Sequence, residues 1–311
     1  MTALREDALA RSRARAAAPA RRRGRWLRSR SAIGLAMTLP LLILVGGLIV
    51  YPFFYSIYLA MLNKRETAFV GLDNFRFLLF EMDTFWLVAR TSVVFTVTAV
   101  FFKALLGFIL ALVIHALPAR GQRFWRGVSL VPWVMPLSLS TLGWWWIFEP
   151  THSALNWILV ALGATPKPWL SDPFWARFAT ILVNVWFGTP FFMIMYLAGL
   201  KSIPAELFES AAIDGAGPVQ RLRFITLPML KNIVAITTLF STIVTFANFD
   251  IVRVLTRGGP RDETHLFGTF SFRLGIEAGD VPLGAAVSLV MFPILAVSAF
   301  FILRGVRRSV A

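Results

Sequence analysis

Six long apolar stretches separated by short polar gaps dominate the chain, at roughly 32–61, 86–115, 124–148, 175–200, 230–252 and 283–303. Each reaches the ~20 residues that an α-helix needs to cross a bilayer. The pattern predicts an all-α polytopic membrane protein with six transmembrane helices. Pro40, Pro52, Pro132, Pro136, Pro190 and Pro293 fall inside these stretches. Membrane helices tolerate proline where neighbouring groups satisfy the freed carbonyls, so kinks are expected rather than breaks. A tail at 1–30 precedes a membrane domain at 31–311, whose longest inner loop is 201–229.

Charge orients this pattern. Only 15% of the 311 residues are charged and 57% are hydrophobic, with mean hydropathy +0.70, whereas soluble domains carry about 25% charged residues. The net charge of +15 is concentrated at the start, where residues 1–30 hold ten arginines against Glu6 and Asp7. A secretory signal has an apolar core of about 7–15 residues. The run from Ala32 through Leu62 is about twice that, so an uncleaved membrane helix is expected. With the N-terminus inside, the inner segments carry 20 Lys and Arg and the outer ones 10, with Lys103 within a span. Acids split the other way, 5 inside and 11 outside. This bias predicts cytoplasmic N- and C-termini, and anchoring of the tail to anionic membrane lipid explains its charge more simply than nucleic acid does.

Several chemistries are excluded or disfavoured. Zero cysteines exclude disulfides and thiolate metal sites. His115, His152 and His265 are scattered without ligand spacing, so no metal site is expected. No Gly-x-x-x-x-Gly-Lys-Ser/Thr loop is present to cradle ATP phosphates. The outer loops, about 63–85, 149–174 and 253–282, leave no room for a soluble catalytic domain, and no paired carboxylates or nucleophile elbow share one plausible site. The chain is expected not to be an enzyme.

The inner loop has a pattern of its own. Pro204 to Ala216 predicts a short helix, with Ser202 as N-cap, Pro204 in the first turn, Glu206 at the positive dipole end and Gly217-Pro218 as the stop. Leu207, Phe208, Ala211 and Ala212 share one arc; Glu206, Glu209, Ser210, Ile213 and Asp214 share the other. At about 1.5 Å per residue it is roughly 20 Å long, too short to cross. A helix lying passively on the membrane surface would satisfy the periodicity, but such helices favour Lys and Arg on the polar face. This face is acidic.

Glu209-Ser210-Ala211, three residues, Gly215, nine residues, then Ile225-Thr226-Leu227-Pro228 resembles the EAA loop of ATP-binding-cassette importer permeases. Ser210 replaces the usual second alanine of that pattern. Gly71-Leu72-Asp73-Asn74-Phe75 and Leu255-Thr256-Arg257-Gly258-Gly259-Pro260 are similar to two elements of carbohydrate importer permeases, the second typical of the subunit type of the larger maltose permease. The resemblance implies a permease of a bacterial inner membrane that moves a sugar by alternating access. It implies as partners a second permease subunit, two ATPase subunits and an extracytoplasmic solute-binding protein. No cofactor is expected on this chain; ATP and Mg would bind the ATPases. It further implies that Glu206, Glu209, Ser210, Ala211, Asp214, Gly215, Ile225, Leu227 and Pro228 form an ATPase-coupling element, and that Gly258, Gly259 and Pro260 lie in a loop facing the binding protein. Other polar solutes, such as a glycerol phosphate, use the same machinery. An ion-coupled secondary transporter would need repeated halves or intramembrane acids, and apart from Asp250 near an end the spans contain none.

Substrate-path candidates are Lys103, Asn184, Trp186, Asn248 and Asp250. Each has a structural alternative. Asn184, Trp186, Asn248 and Asp250 serve equally as helix–helix contacts, and Trp144-Trp145-Trp146 suit an interfacial aromatic belt better than sugar stacking. Lys103 costs about 2.5–3.5 kcal/mol on insertion, which surrounding Leu, Ile, Phe and Val offset at about 0.3–0.6 each. It either faces the path or snorkels inward, with no obvious partner at its depth. Gly107 and Ala111 have the spacing of a close helix contact.

Overall fold

A computed structural model describes residues 30–151 and 153–308. The arginine-rich segment 1–29 and His152 lie outside the described residues. Helices account for the architecture, and a lone antiparallel bridge, Leu62 with Phe69, is the extended pairing among the described residues. The chain divides into two units, 1–55 and 56–311.

In the first unit, α1 (Arg30–Val45) runs through a π turn, Gly46–Val50, into the start of α2 (Tyr51–Ala60). The described side chains of α1 and the π turn are unburied and, Thr38 apart, apolar. The π turn ends two residues before Pro52, and Tyr51 N–H donates to Gly46 O, five residues back. A second π turn, Leu222–Thr226, stands in the same register before Pro228. Proline lacks a donor and its ring crowds the carbonyl four residues back; the wider turn relieves both constraints without breaking the helix.

The second unit is built around α4 (Asp83–Ala116) and α8 (Pro173–Ser202), the most extensive helix pair. The buried side of α4 follows Val88, Ser92, Phe95, Ala99, Lys103, Gly107, Ala111 and Ile114, while Val93, Val97, Phe101, Leu105 and Val113 face outward. That is one stripe at helical period. The expected close contact at Gly107 is present: a Cβ there would overlap Phe192 of α8. In return Gly188 of α8 leaves room for the Lys103 stem, and Gly199 receives Leu230 and Ile233 of α11 (Leu227–Phe246). Glycine at each contact brings the backbones together, which is how helices associate where lipid removes the hydrophobic drive. Helix α14 (Val281–Arg308) packs on α13 (Phe267–Phe272) and α11.

Two of the predicted spans differ in form. The third stretch is two helices, α5 (Ala119–Val134) and α6 (Leu137–Phe148), broken at Met135–Pro136. Met135 is extended (φ −70°, ψ 142°) because Pro136 disfavours the helical region for the residue before it. Pro136 is thus a break, whereas Pro40, Pro132, Pro190 and Pro293 lie within helices as expected. Among the described residues, five helical segments are long and apolar enough to cross a membrane: Met37–Ala60, Asp83–Ala116, Pro173–Ser202, Pro218–Leu255 and Val281–Arg304. The fifth predicted stretch likewise has an unwound step at 247–249, between α11 and α12 (Asp250–Leu255).

Candidate functional site: a central cavity, a loop helix and a clamped loop

The two helix breaks open onto one cavity of about 80 Å³. Trp133 and Leu137 flank the first break, Asn248 lies in the second, and all three line the cavity with Lys103, Asn184 and Thr245. Irregular backbone at membrane depth is tolerated where it lines a cavity. Lys103 is 3% exposed and does not snorkel. Its ammonium donates to Asn184 Oδ1 (2.9 Å) and Thr245 Oγ1 (2.6 Å), so the expectation that it lacks a partner is corrected. Those partners are 81 and 142 residues away. Asn248 Oδ1 is buried without a hydrogen-bond partner.

Three of the five substrate-path candidates, Lys103, Asn184 and Asn248, therefore meet in one place. Asp250 lies outside it, at the start of α12, where it accepts from Ser138 Oγ (3.0 Å). Trp186 is also outside, edge-on to Trp144 at 5.5 Å in an aromatic cluster with Phe148. Of the consecutive tryptophans, Trp144 packs inward and Trp146 is 71% exposed. Sequence reasoning passed over Ser241 and Thr245, although a signal existed. Thr237, Ser241, Thr245 and Asn248 fall at i, i+4, i+8 and i+11, a polar stripe along α11 that continues into the unwound step after it, and all four are buried. It also passed over the aromatic wall, where Phe191 lies 5.7 Å from Trp133 and 5.3 Å from Phe240 between ring centroids.

The inner loop forms α9 (Ala205–Ile213), shorter than predicted. Ser202 is not its N-cap. It is the last residue of α8, its hydroxyl donates back to Gly199 O (2.7 Å), and Pro204 takes the N-cap position. The expected apolar arc is only half present: Phe208 and Ala211 are half-buried, while Leu207 and Ala212 are exposed. Phe208 and Ile225 pack on the cluster around Tyr196, Leu200 and Leu230, which seats the helix on the ends of α8 and α11. The helix stops at Gly215, which adopts φ +77°, and not at the expected Gly217-Pro218, which instead opens the next turn of helix. The Gly215 N–H donates to Ala212 O (3.1 Å) and the Ala216 N–H to Ala211 O (2.8 Å). These two bonds are a Schellman stop, which requires a left-handed residue and so favours glycine. Glu206, Glu209, Ser210 and Asp214 are exposed, and the three acids make no ion pair among the described residues. Leu227 is exposed too, and Pro228 enters α11 within its first turn.

The Gly258-Gly259-Pro260 loop is clamped from within. Gly258, buried at φ +89°, holds the ring of His265 where a side chain would project. Thr264 Oγ1 donates to Gly259 O (2.7 Å), and Asp262 pairs with Arg273. Burial pushes His265 down to about 4, opposed by the nearby Asp262 carboxylate. Arg177 of α8 reaches Glu263 at 3.0 Å, and Ser92 Oγ of α4 accepts from Phe267 N–H, tying the loop to the central pair. Glycines and proline therefore shape the loop, and its exposed side chains are Arg257 and Arg261. At the Gly71–Phe75 turn, Asn74 Nδ2 donates to Ala60 O and Leu62 O (2.9 and 2.7 Å), satisfying carbonyls at the end of α2.

Residues 16–310 match the family described as binding-protein-dependent transport system inner membrane component. The trehalose/maltose transport system permease protein MalF of Thermococcus litoralis is 35% identical over 271 residues, 86% of this chain and 91% of that protein. The sulfoquinovosyl glycerol transport system permease protein SmoG of Agrobacterium fabrum is 33% identical, covering 81% and 83% respectively. Among solved structures, a bacterial ABC transporter involved in import of the acidic polysaccharide alginate superposes with a TM-score of 0.78 at 23% identity, over 91% of this chain and 98% of that one, which shows the shared fold. The chain therefore belongs to the inner-membrane permease components of binding-protein-dependent transport systems, and is a transporter subunit rather than an enzyme.

Proposed function

We propose that this chain moves a sugar through the cavity between α4, α8 and α11, as one of two permease subunits of an ATP-driven importer. The observation that carries the reading is the composition of that cavity. It gathers the aromatic rings of Trp133, Phe191 and Phe240 with the polar groups of Asn184, Ser241, Thr245 and Asn248. Aromatic faces cover the apolar C–H side of a sugar ring, while amides and hydroxyls exchange hydrogen bonds with its hydroxyls. The curated relatives named for trehalose/maltose and galactooligosaccharide transport support the same substrate class.

The second permease, two ATPases and an extracytoplasmic binding protein complete the proposed assembly, with ATP and Mg on the ATPases. The inner loop lies on the cytoplasmic side, as the Lys and Arg bias requires. There α9 is the coupling helix. Its acids Glu206 and Glu209 and its exposed Leu207 and Ile213 suit a cleft on the ATPase that offers basic groups around an apolar floor. ATPase closure would then displace α9 and, through Phe208 and Ile225, the near ends of α8 and α11, whose more distant turns line the cavity. Arg257 and Arg261 form the outer surface offered to the binding protein.

The test is uptake by the assembled complex in proteoliposomes across a panel of sugars and polyols. ATP-dependent accumulation of a saccharide is expected. Uptake that proceeds without ATP and collapses with the ion gradient would sink the proposal.

A further inference from the structure

We infer that the solute carried through this cavity is anionic, a sugar derivative bearing a carboxylate, phosphate or sulfonate, and that Lys103 selects it; this rests on the reading of the cavity as the substrate path. An ammonium has three donors and no acceptor. Lys103 uses two of them on neutral oxygens, Asn184 Oδ1 and Thr245 Oγ1, and makes no ion pair among the described residues. No carboxylate lines the cavity. A buried cation with no counter-charge is expensive, because two neutral hydrogen bonds replace only part of its hydration. A structural tether between α4, α8 and α11 needs no charge, since a neutral donor can bond neutral oxygens. What the charge adds is attraction for an anion arriving in the cavity.

Three further features agree. The cavity holds about 80 Å³, room for a few waters at about 30 Å³ each or for one ionised head group. The buried Asn248 Oδ1 has no donor, so the cavity offers a spare acceptor as well as a spare N–H. An acidic sugar satisfies both, with an oxyanion oxygen on Lys103 Nζ and a hydroxyl donating to Asn248. Gly188 leaves space for the Lys103 stem against α8, so the ammonium is held at the cavity rather than extended toward a membrane surface.

The experiment compares charged and neutral pairs on the assembled complex with its own binding protein in proteoliposomes: digalacturonate against galactobiose, and glycerol 3-phosphate against glycerol. Wild type should take up an anionic member at least tenfold faster than its neutral counterpart. Lys103→Gln should bring that ratio toward one, and Lys103→Arg should keep most of it. A wild-type preference for the neutral members overturns the inference, as does a Lys103→Gln variant that keeps the wild-type ratio or loses both members of a pair equally. Absence of ATP-dependence in the wild type would instead count against the importer reading itself. The two pairs separate a carboxylate from a phosphate as the recognised group.

Discussion

Lys103 Nζ and Asn184 Oδ1 lie 2.9 Å apart in the buried centre of the α4–α8 pair, and Thr245 of α11 completes the contact. A hydrogen bond to a charged group contributes about 1.5–3 kcal/mol. Asn184→Leu should therefore lower the stability of the purified complex by about that amount, read as a fall in Tm by scanning fluorimetry. Adding Lys103→Met should restore part of the loss, because the stranded cation is removed with its partner. A double variant no more stable than the additive sum of the singles would show that the two residues are not coupled.

Gly215 tests the stop of α9 separately from its docking. Nothing lies within 4 Å of where a Cβ would project, so only the φ of +77° resists substitution. Gly215→Asn should leave folding and uptake near wild type, since asparagine tolerates this conformation, while Gly215→Ala should cost about 1 kcal/mol. Gly215→Trp should still insert and fold, yet fail to co-purify the ATPase. Co-purification and uptake at wild-type levels would show that α9 does not approach a partner at this glycine.

The Gly258–His265 contact should be far less forgiving. A methyl group there enters the imidazole ring and the φ of +89° is strained for any L-residue. Gly258→Ala should destabilise by roughly 2–5 kcal/mol. Gly279→Ala, with φ +66° but open space around it, should cost only about 1 kcal/mol. Equal shifts in Tm for the two would refute the packing argument.

His265 also carries a pH signature. Its ordinary value of 6.5 falls to about 4 in the folded protein, chiefly by burial. Between those values the unfolded chain binds a proton that the folded chain refuses, so unfolding is favoured as pH falls. The contribution is fully present above pH 6.5 and is lost progressively down to about 4. His265→Gln should flatten this part of the stability curve, seen as a Tm gap to wild type that narrows, or inverts, from pH 7 to pH 4.5. A constant gap would exclude the imidazole as its source.

The apolar stretches and the acidic loop helix were legible in the sequence because each rests on local physics, although the helix's stop, expected at Gly217-Pro218, falls at Gly215. About 20 apolar residues make a span wherever they occur, and Gly215 ends a helix by its own conformational freedom. Even the polar stripe from Thr237 to Asn248 is written in helical period. Tertiary structure decided the rest. The partners of Lys103 come from helices 81 and 142 residues away, and no local pattern states which stripe faces which. The breaks at Met135–Pro136 and 247–249 look like ordinary kinks in sequence and acquire meaning only because both open on one cavity. Gly258 likewise reads as turn chemistry until His265 occupies the space above it. Composition commits the chain to the bilayer, since the cost of exposing apolar surface is summed residue by residue. The site depends on which polar groups burial forces together, and packing alone settles that.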